Sequence, residues 1–335
     1  MKIAVVGLGA VGGLLAARLT QAGAAVQAVA RGATLAAVRA HGVRLQTAGS
    51  EEQIEVPVTD RVSALGPQDL VILAVKAPAL GDAAARLAPL LHDETVVLPA
   101  MNGVPWWLLQ TSEGRGIDPS DPGDITLQSV DPGGRIAAAL PLRRVLGGVV
   151  HLTAEAVAPG VVRHGFGQRL IIGEPTGGLS ARSAAVCRVL ATAGFEAEAS
   201  ADVRSAIWYK LWGNMTTNPI SALTGVTTDR ILDDELVRAF MLGAMAEAAA
   251  IGARIGCPIA QSGHDRIVVT RQLGAFRTSM LQDAQAGRPL EIDALIGAVH
   301  EIGARVGIDT PHIGALFGLT RLMARERGLY PPSTP

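Results

Sequence analysis

Short apolar runs alternate with amphipathic stretches through about the first two hundred residues, and after them only helical periodicity remains. Lys2–Val6, Ala25–Ala30, Leu70–Val75 and Thr95–Ala100 are such runs, the pattern of strands buried on both faces of a parallel sheet. A helical stretch from the glycine turn at residue 7 to about Ala22 joins the first two. Val43–Thr47 and Gln53–Val58 read as a hairpin, Val145–Val150 as a further strand, and Val161–His164 with Gln168–Ile172 as a second hairpin. Ala181–Ala193 reads as a helix and Phe195–Ala199 as the last strand. One segment, Gln110–Leu142, breaks the pattern: it is rich in Gly, Pro, Asp and Ser, has little periodicity, and is of a length usually functional or disordered.

Beyond Ala201 the periodicity is that of helices. Ile207–Gly225 is the first, with Pro219 expected to disturb it just after Asn218. Asp233 or Asp234 caps a helix to about Gly256, Ser262 caps another to about Ala286, and Glu291–Val306 and Pro311–Gly328 complete the set. The expected fold is therefore α/β: a Rossmann-type dinucleotide-binding domain over residues 1–200, with a loop inserted at about 110–142, and an all-helical domain over 201–330.

Composition narrows the partners. A chain of 335 residues with 49% apolar content and a formal net charge of −1 is an ordinary globular protein without the footprint of a nucleic-acid or anionic-membrane binder. Its two cysteines, Cys187 and Cys257, are far apart, and its seven His show no paired spacing, so neither a disulfide framework nor a metal site is expected. Lys2 and the apolar run behind it imitate a secretory leader, but Gly7, Gly9 and Gly12 have no use in one. No later run of about 18 apolar residues lacks charges, so a cytoplasmic protein without a membrane span is expected. The apolar stretch Leu236–Ile251 makes a homodimer plausible.

The chemistry begins at Gly7-Leu8-Gly9-Ala10-Val11-Gly12, between the first strand and its helix. In that context Gly7 permits the tight turn, Gly9 lets a pyrophosphate approach the backbone, and Gly12 lets helix and strand pack closely. After the second strand an NAD-binding protein carries an acid for the ribose 2′-hydroxyl; here Arg31 stands instead, with no acid until Glu51, which suits the 2′-phosphate of NADP. Lys76 and Asn102 follow the two later buried strands at the edge where ligands of such sheets sit.

A second constellation lies on the Ile207–Gly225 helix. Lys210, Asn214 and Asn218 recur at intervals of four and share one face. At the helical rise they span roughly 12 Å, the length of a small organic acid. A single Lys on a helix is usually a surface residue. Here the chain has only three Lys among 29 basic residues and only three Asn, Asn102, Asn214 and Asn218, so their coincidence reads as a site. Trp208 and Trp212 flank the lysine in sequence and are expected to desolvate it, lowering its pKa towards a working range.

Together the glycine turn, Arg31, Lys76, Asn102-Gly103, the Lys210/Asn214/Asn218-Pro219 run, Ser279 in S-M-L-Q-D and Glu291 in E-I-D resemble the ketopantoate reductase (2-dehydropantoate 2-reductase) family over about residues 1–328. The resemblance implies NADPH-dependent reduction of a 2-oxo acid, 2-dehydropantoate, to a 2-hydroxy acid in pantothenate biosynthesis. It implies Lys210 as the general acid, Asn214, Asn218 and Ser279 as substrate-binding residues, and Glu291 as the carboxylate that takes the substrate's terminal hydroxyl. Asn102 falls near the nicotinamide and substrate, and Lys76 on the cofactor or substrate side. Such a proton donor suits hydride addition, which leaves negative charge on the carbonyl oxygen. The sequence departs from the family at Val104-Pro105-Trp106-Trp107 and at the 110–142 insertion, where a lid over the site is expected. These departures keep open a different 2-oxo acid or ketone as substrate; a non-catalytic NADP-sensing protein is the remaining alternative, disfavoured by the complete Lys/Asn/Glu set.

Overall fold

The computed structural model describes residues 1–110 and 122–331. The chain forms two compact units, one of Met1–Met101 with Arg135–Arg204, the other of Asn102–Gly134 with Ser205–Pro335. The expected boundary at residue 200 leaves residues 102–134 with the first domain, whereas the described residues 102–110 and 122–134 cluster with the helices.

The first unit holds β1 (Lys2–Val6), β2 (Ala25–Val29), β3 (Val43–Thr47), β4 (Ser50–Ile54), β5 (Val58–Thr59), β6 (Leu70–Leu73), β7 (Val96–Pro99), β8 (Gly147–His151), β9 (Ala154–Ala158), β10 (Val161–His164), β11 (Arg169–Gly173) and β12 (Glu196–Ser200). A parallel sheet of order β5-β2-β1-β6-β7 is its centre, and Ile3, Ala4 and Val5 of β1 are fully buried on both faces. The order reverses on either side of β1, so the glycine turn at its carboxyl end stands at the switch point where ligands of open α/β sheets bind. In chain order the helices are α1 (Ala10–Gln21), α2 (Gly32–His41), α3 (Leu80–Ala84), then α4 (Pro122–Ile125) of the second unit, α5 (Arg135–Ala139) and α6 (Ala181–Thr192).

The hairpin of 43–47 forms with Ser50–Ile54, but the second expected hairpin does not exist. β10 pairs antiparallel with β9 and parallel with β3, while β11 lies between β8 and β12 in a separate sheet. The reason is local: Thr153 holds the Gly165–Gly167 loop through Phe166 N to Thr153 Oγ1 at 2.6 Å and Thr153 N to Phe166 O at 2.7 Å, turning the chain from one sheet to the next. Ala154–Ala158, three alanines with Glu155 and a single β-branched Val157, carries little strand signal.

The second unit consists of α7 (Val203–Thr224, which starts in the first), α8 (Thr228–Asp233), α9 (Glu235–Arg254), α10 (Gly263–Arg271), α11 (Ser279–Gln285), a π turn at Asp293–Gly297 that continues as α12 (Ala298–Arg305), and α13 (Pro311–Glu326). Pro219 does not end α7. Hydroxyls take up carbonyls around it: Thr216 and Thr217 bond Gly213 O, and Ser221 bonds Asn218 O at 2.7 Å. The helix expected from Ser262 to Ala286 is broken, because 272–278 turns back to bond α8, with Thr228 N on Phe276 O and Thr228 Oγ1 on Gly274 O. Asp234 is the cap of α9, accepting from the amides of Leu236 and Val237.

Among the described residues α9 is the one helix long and apolar enough to cross a membrane by length and composition, with a mean hydropathy of 1.5. Glu247 in its middle accepts the amides of His312 and Ile313 at 2.9 Å each, capping α13. The inserted segment is structured where it is described. Glu301 of α12 accepts from the amides of Gln128 and Ser129 at 2.8 Å, and Arg305 donates to Thr126 O at 2.6 Å. The expected lid is thus tied to α12 at residues 126–129, and its stretch 111–121 lies outside the described residues.

Candidate active site

In the first unit, Gly7 adopts φ +97° in the turn between β1 and α1, and its amide bonds Val29 O of β2 at 2.9 Å. A Cβ on Gly12 would lie 1.9 Å from Gly7 O, so only glycine lets the helix pack on this turn. Gly9 is the N-cap of α1, and nothing lies within 4 Å of where its Cβ would point. No side chain caps α1 and no acid stands in its first turn, which leaves its amides and the positive end of the helix dipole to an anion. Leu8 is buried and Ala10 and Val11 partly so, so these three contribute backbone to the loop. Arg31, at the N-cap of α2, is exposed and makes no ion pair among the described residues. Lys76 precedes the 3₁₀ turn Ala77–Ala79 after β6, with its ammonium nitrogen shielded from solvent.

The second unit assembles the other residues. Lys210 Nζ donates to Oδ1 of Asn102 at 2.7 Å. Burial lowers the Lys210 pKa from its ordinary value to about 8, and the negative charge of Glu291 opposes that shift. Asn214 is half-buried one turn further on, and Asn218 is buried at 5% exposure. Ser221, on the same face, hydrogen-bonds Thr278 Oγ1; Thr278 caps α11 by accepting from Leu281 N, which sets Ser279 at the start of that helix. Glu291 stands just before the π turn, half-buried.

Asn102 is held from behind. Gly103 has φ +89°, and its neighbour Val104 donates its amide to Ala294 O of the π turn at 2.7 Å. The Trp pair does not flank the lysine as expected: Trp208 and Trp212 donate their indole N–H groups to Ala248 O and Met245 O of α9. At 3.6 residues per turn both point about 160° away from Lys210, so other groups desolvate it. Trp106 and Trp107 are 1% exposed each, within the core, and offer a ligand no surface.

Three features escaped the sequence reading. One is the π turn, which needs the fold to be seen; the second is the pair Tyr330–Asp293, joined at 2.6 Å. The third is Arg266, whose guanidinium lies 4.7 Å over the Tyr209 ring and against Gly213, between Lys210 and Asn214 in sequence, without an acidic partner among the described residues. The signal for it was present: a glycine inside a helix costs stability unless something packs where its side chain would be.

Known proteins are similar to this chain over nearly its whole length. Residues 3–105 match the family described as ketopantoate reductase PanE/ApbA, and residues 202–324 match the C-terminal part of the same family. A 2-dehydropantoate 2-reductase of Mesorhizobium japonicum is 45% identical over 332 residues, covering 98% of this chain and 100% of its own. A crystal structure from Ralstonia solanacearum, assigned to the ketopantoate reductases, superposes with a TM-score of 0.92 at 56% identity, covering 98% of this chain and 99% of that one. A PanE/ApbA family ketopantoate reductase from Ralstonia eutropha gives a TM-score of 0.82 at 29% identity, covering 98% and 100%.

Proposed function

This chain belongs to the ketopantoate reductase family, and we propose that it reduces 2-dehydropantoate to pantoate with NADPH, Lys210 supplying the proton. The observation that carries the reading is the lysine itself: a desolvated ammonium with a pKa of about 8, held by Asn102 and facing the charge of Glu291. Such a group is still charged at neutral pH yet gives up its proton readily, the balance a general acid needs.

The first unit fits a dinucleotide, because the uncapped α1 N-terminus and the open space at Gly9 accept a pyrophosphate. Gly7–Gly12 would hold the diphosphate, Arg31 the 2′-phosphate, and Lys76 the cofactor side of the site. Bound there, NADPH supplies a hydride. The residues of the second unit do the rest. Lys210 donates a hydrogen bond to the substrate's carbonyl oxygen and then its proton as negative charge develops there. Asn102 orients the ammonium by accepting from it, Asn214, Asn218 and Ser279 bind the 2-oxo acid, and Glu291 accepts a hydrogen bond from the terminal hydroxyl. The reading includes a cytoplasmic enzyme acting on a free small molecule, and the exposed Leu236 at the start of α9 supports a homodimer.

The test is an assay of NADPH oxidation with 2-dehydropantoate, with 2-oxo-3,3-dimethylbutanoate, which lacks only the hydroxyl, and with a panel of other 2-oxo acids. A carboxylate built to accept that hydroxyl rejects the deoxy analogue by up to ~10⁴-fold. Glu291→Ala narrows the gap by losing activity on 2-dehydropantoate rather than by gaining it on the analogue. Equal rates on the two compounds, or preference for a bulkier acid, would retain the reductase and discard this substrate.

A further inference from the structure

The residues that set Asn102 against Lys210 are themselves tied to the end of the chain. After α13 the chain turns, with Gly328 N on Arg325 O at 3.0 Å and Leu329 N on Ala324 O at 2.7 Å. Leu329 O then accepts the amide of Leu290, the residue before Glu291, at 3.0 Å. Tyr330 follows and donates its hydroxyl to Asp293 Oδ1 at 2.6 Å, while the Arg325 guanidinium lies 5.5 Å over its ring. Two bonds therefore brace Leu290-Glu291-Ile292-Asp293, one on each side of Glu291.

Asp293 opens the π turn, and its carboxylate lies over Gly297: a Cβ there would stand 3.2 Å from Asp293 Oδ1. π turns interrupt the regular ladder and recur at functional sites. In this one Ala294 O is aimed at Val104 N, and a Cβ on Gly103 would lie 2.5 Å from that oxygen. Asn102, the next residue back, accepts from Lys210. The contacts thus run without a gap from Tyr330 through Asp293, the π turn and Gly103-Val104 to Asn102 and the proton donor.

We propose that Tyr330 and Asp293 are a positioning pair for the reduction: by fixing the π turn they hold Asn102 on Lys210 and Glu291 in place, without touching the substrate. The titration of the pair supports it. Burial raises the Asp293 carboxyl above its usual range, opposed by the Tyr330 bond and the charges of Arg321 and Arg325 and assisted by Glu301. Burial and then Asp293 push the Tyr330 phenol up, so the phenol remains a donor across the working pH range. The proposal rests on Lys210 being the donor, and its test has a readout that does not.

The test variants are Tyr330→Phe, which keeps the ring, Asp293→Ala, which removes the acceptor, and the double variant. For the full chain, the prediction is a fall in kcat of about tenfold in each single variant, little change in the dissociation constant for NADPH, and no further loss in the double variant, since both remove the same bond. The second readout needs no turnover. The chain has three asparagines, so protein labelled with ¹⁵N only at Asn shows three side-chain amides by NMR. Tyr330→Phe should move the Asn102 signal and leave those of Asn214 and Asn218. An unmoved Asn102 signal with an unchanged kcat, whatever the loss in Tm, overturns the proposal and makes the pair a structural brace. A moved Asn102 signal in Tyr330→Phe, where the wild type is itself inactive on 2-dehydropantoate, supports the linkage and counts against the substrate reading instead.

Discussion

Gly103 and Ala294 stand so close that a Cβ on the glycine would lie 2.5 Å from the alanine's carbonyl oxygen and 2.7 Å from its Cβ. Gly103 also has φ +89°, a conformation that side chains disfavour. Gly103→Ala is therefore expected to destabilise by about 1–3 kcal/mol, the usual range for strained backbone. It should also push Asn102 off Lys210, lowering kcat well beyond what the fall in Tm explains. Thermal melts and steady-state kinetics on the same preparation check both; a normal kcat would separate Gly103 from the site.

Lys210→Ala should lower kcat by ~10²-fold or more, the scale of a lost general acid, while NADPH binding measured by fluorescence titration stays close to wild type. In the wild type the ammonium is lost as pH rises through about 8, so kcat should decline on the alkaline side of that value. A flat profile between pH 7 and 9 would remove Lys210 from the proton-donor role.

Glu291 raises the Lys210 pKa by its charge, against the lowering due to burial. Glu291→Gln removes that support, so the lysine loses its proton at lower pH and the alkaline limb of the kcat profile should move to lower pH. A shift to higher pH, or none, would show that the two charges do not communicate.

Arg31 predicts cofactor choice. A guanidinium pairs with a phosphate bidentately, and no carboxylate competes for it among the described residues. The wild type should prefer NADPH over NADH in kcat/KM, and Arg31→Ala should lose most of that preference by raising KM for NADPH. Equal use of both cofactors by the wild type would refute it.

The second half of the inserted segment is held by Glu301, which accepts from Gln128 N, Ser129 N and Ser129 Oγ. A hydrogen bond to a charged group contributes roughly 1.5–3 kcal/mol net of exchange with water. Glu301→Ala should cost about 2 kcal/mol in urea unfolding and open residues 123–131 to limited proteolysis. Unchanged cleavage there would mean that α12 is not what orders the segment.

The sequence alone determined whatever is written in local spacing. The strand, glycine turn and helix at residues 2–21 fold where the pattern puts them, because each residue there answers to neighbours a few positions away. The interval of four places Lys210, Asn214 and Asn218 on one helix face for the same reason. Tertiary structure decided the remainder, because those contacts join residues that no period links. That Asn102 reaches Lys210 across 108 positions, that Gly103 must be glycine because of Ala294, and that 161–164 pairs with the distant β3 rather than with β11 are all facts of packing. The Trp pair shows the limit most clearly: adjacency in sequence put Trp208 and Trp212 beside the lysine, but a helix turns residues two apart to opposite sides, and α9 took the indoles.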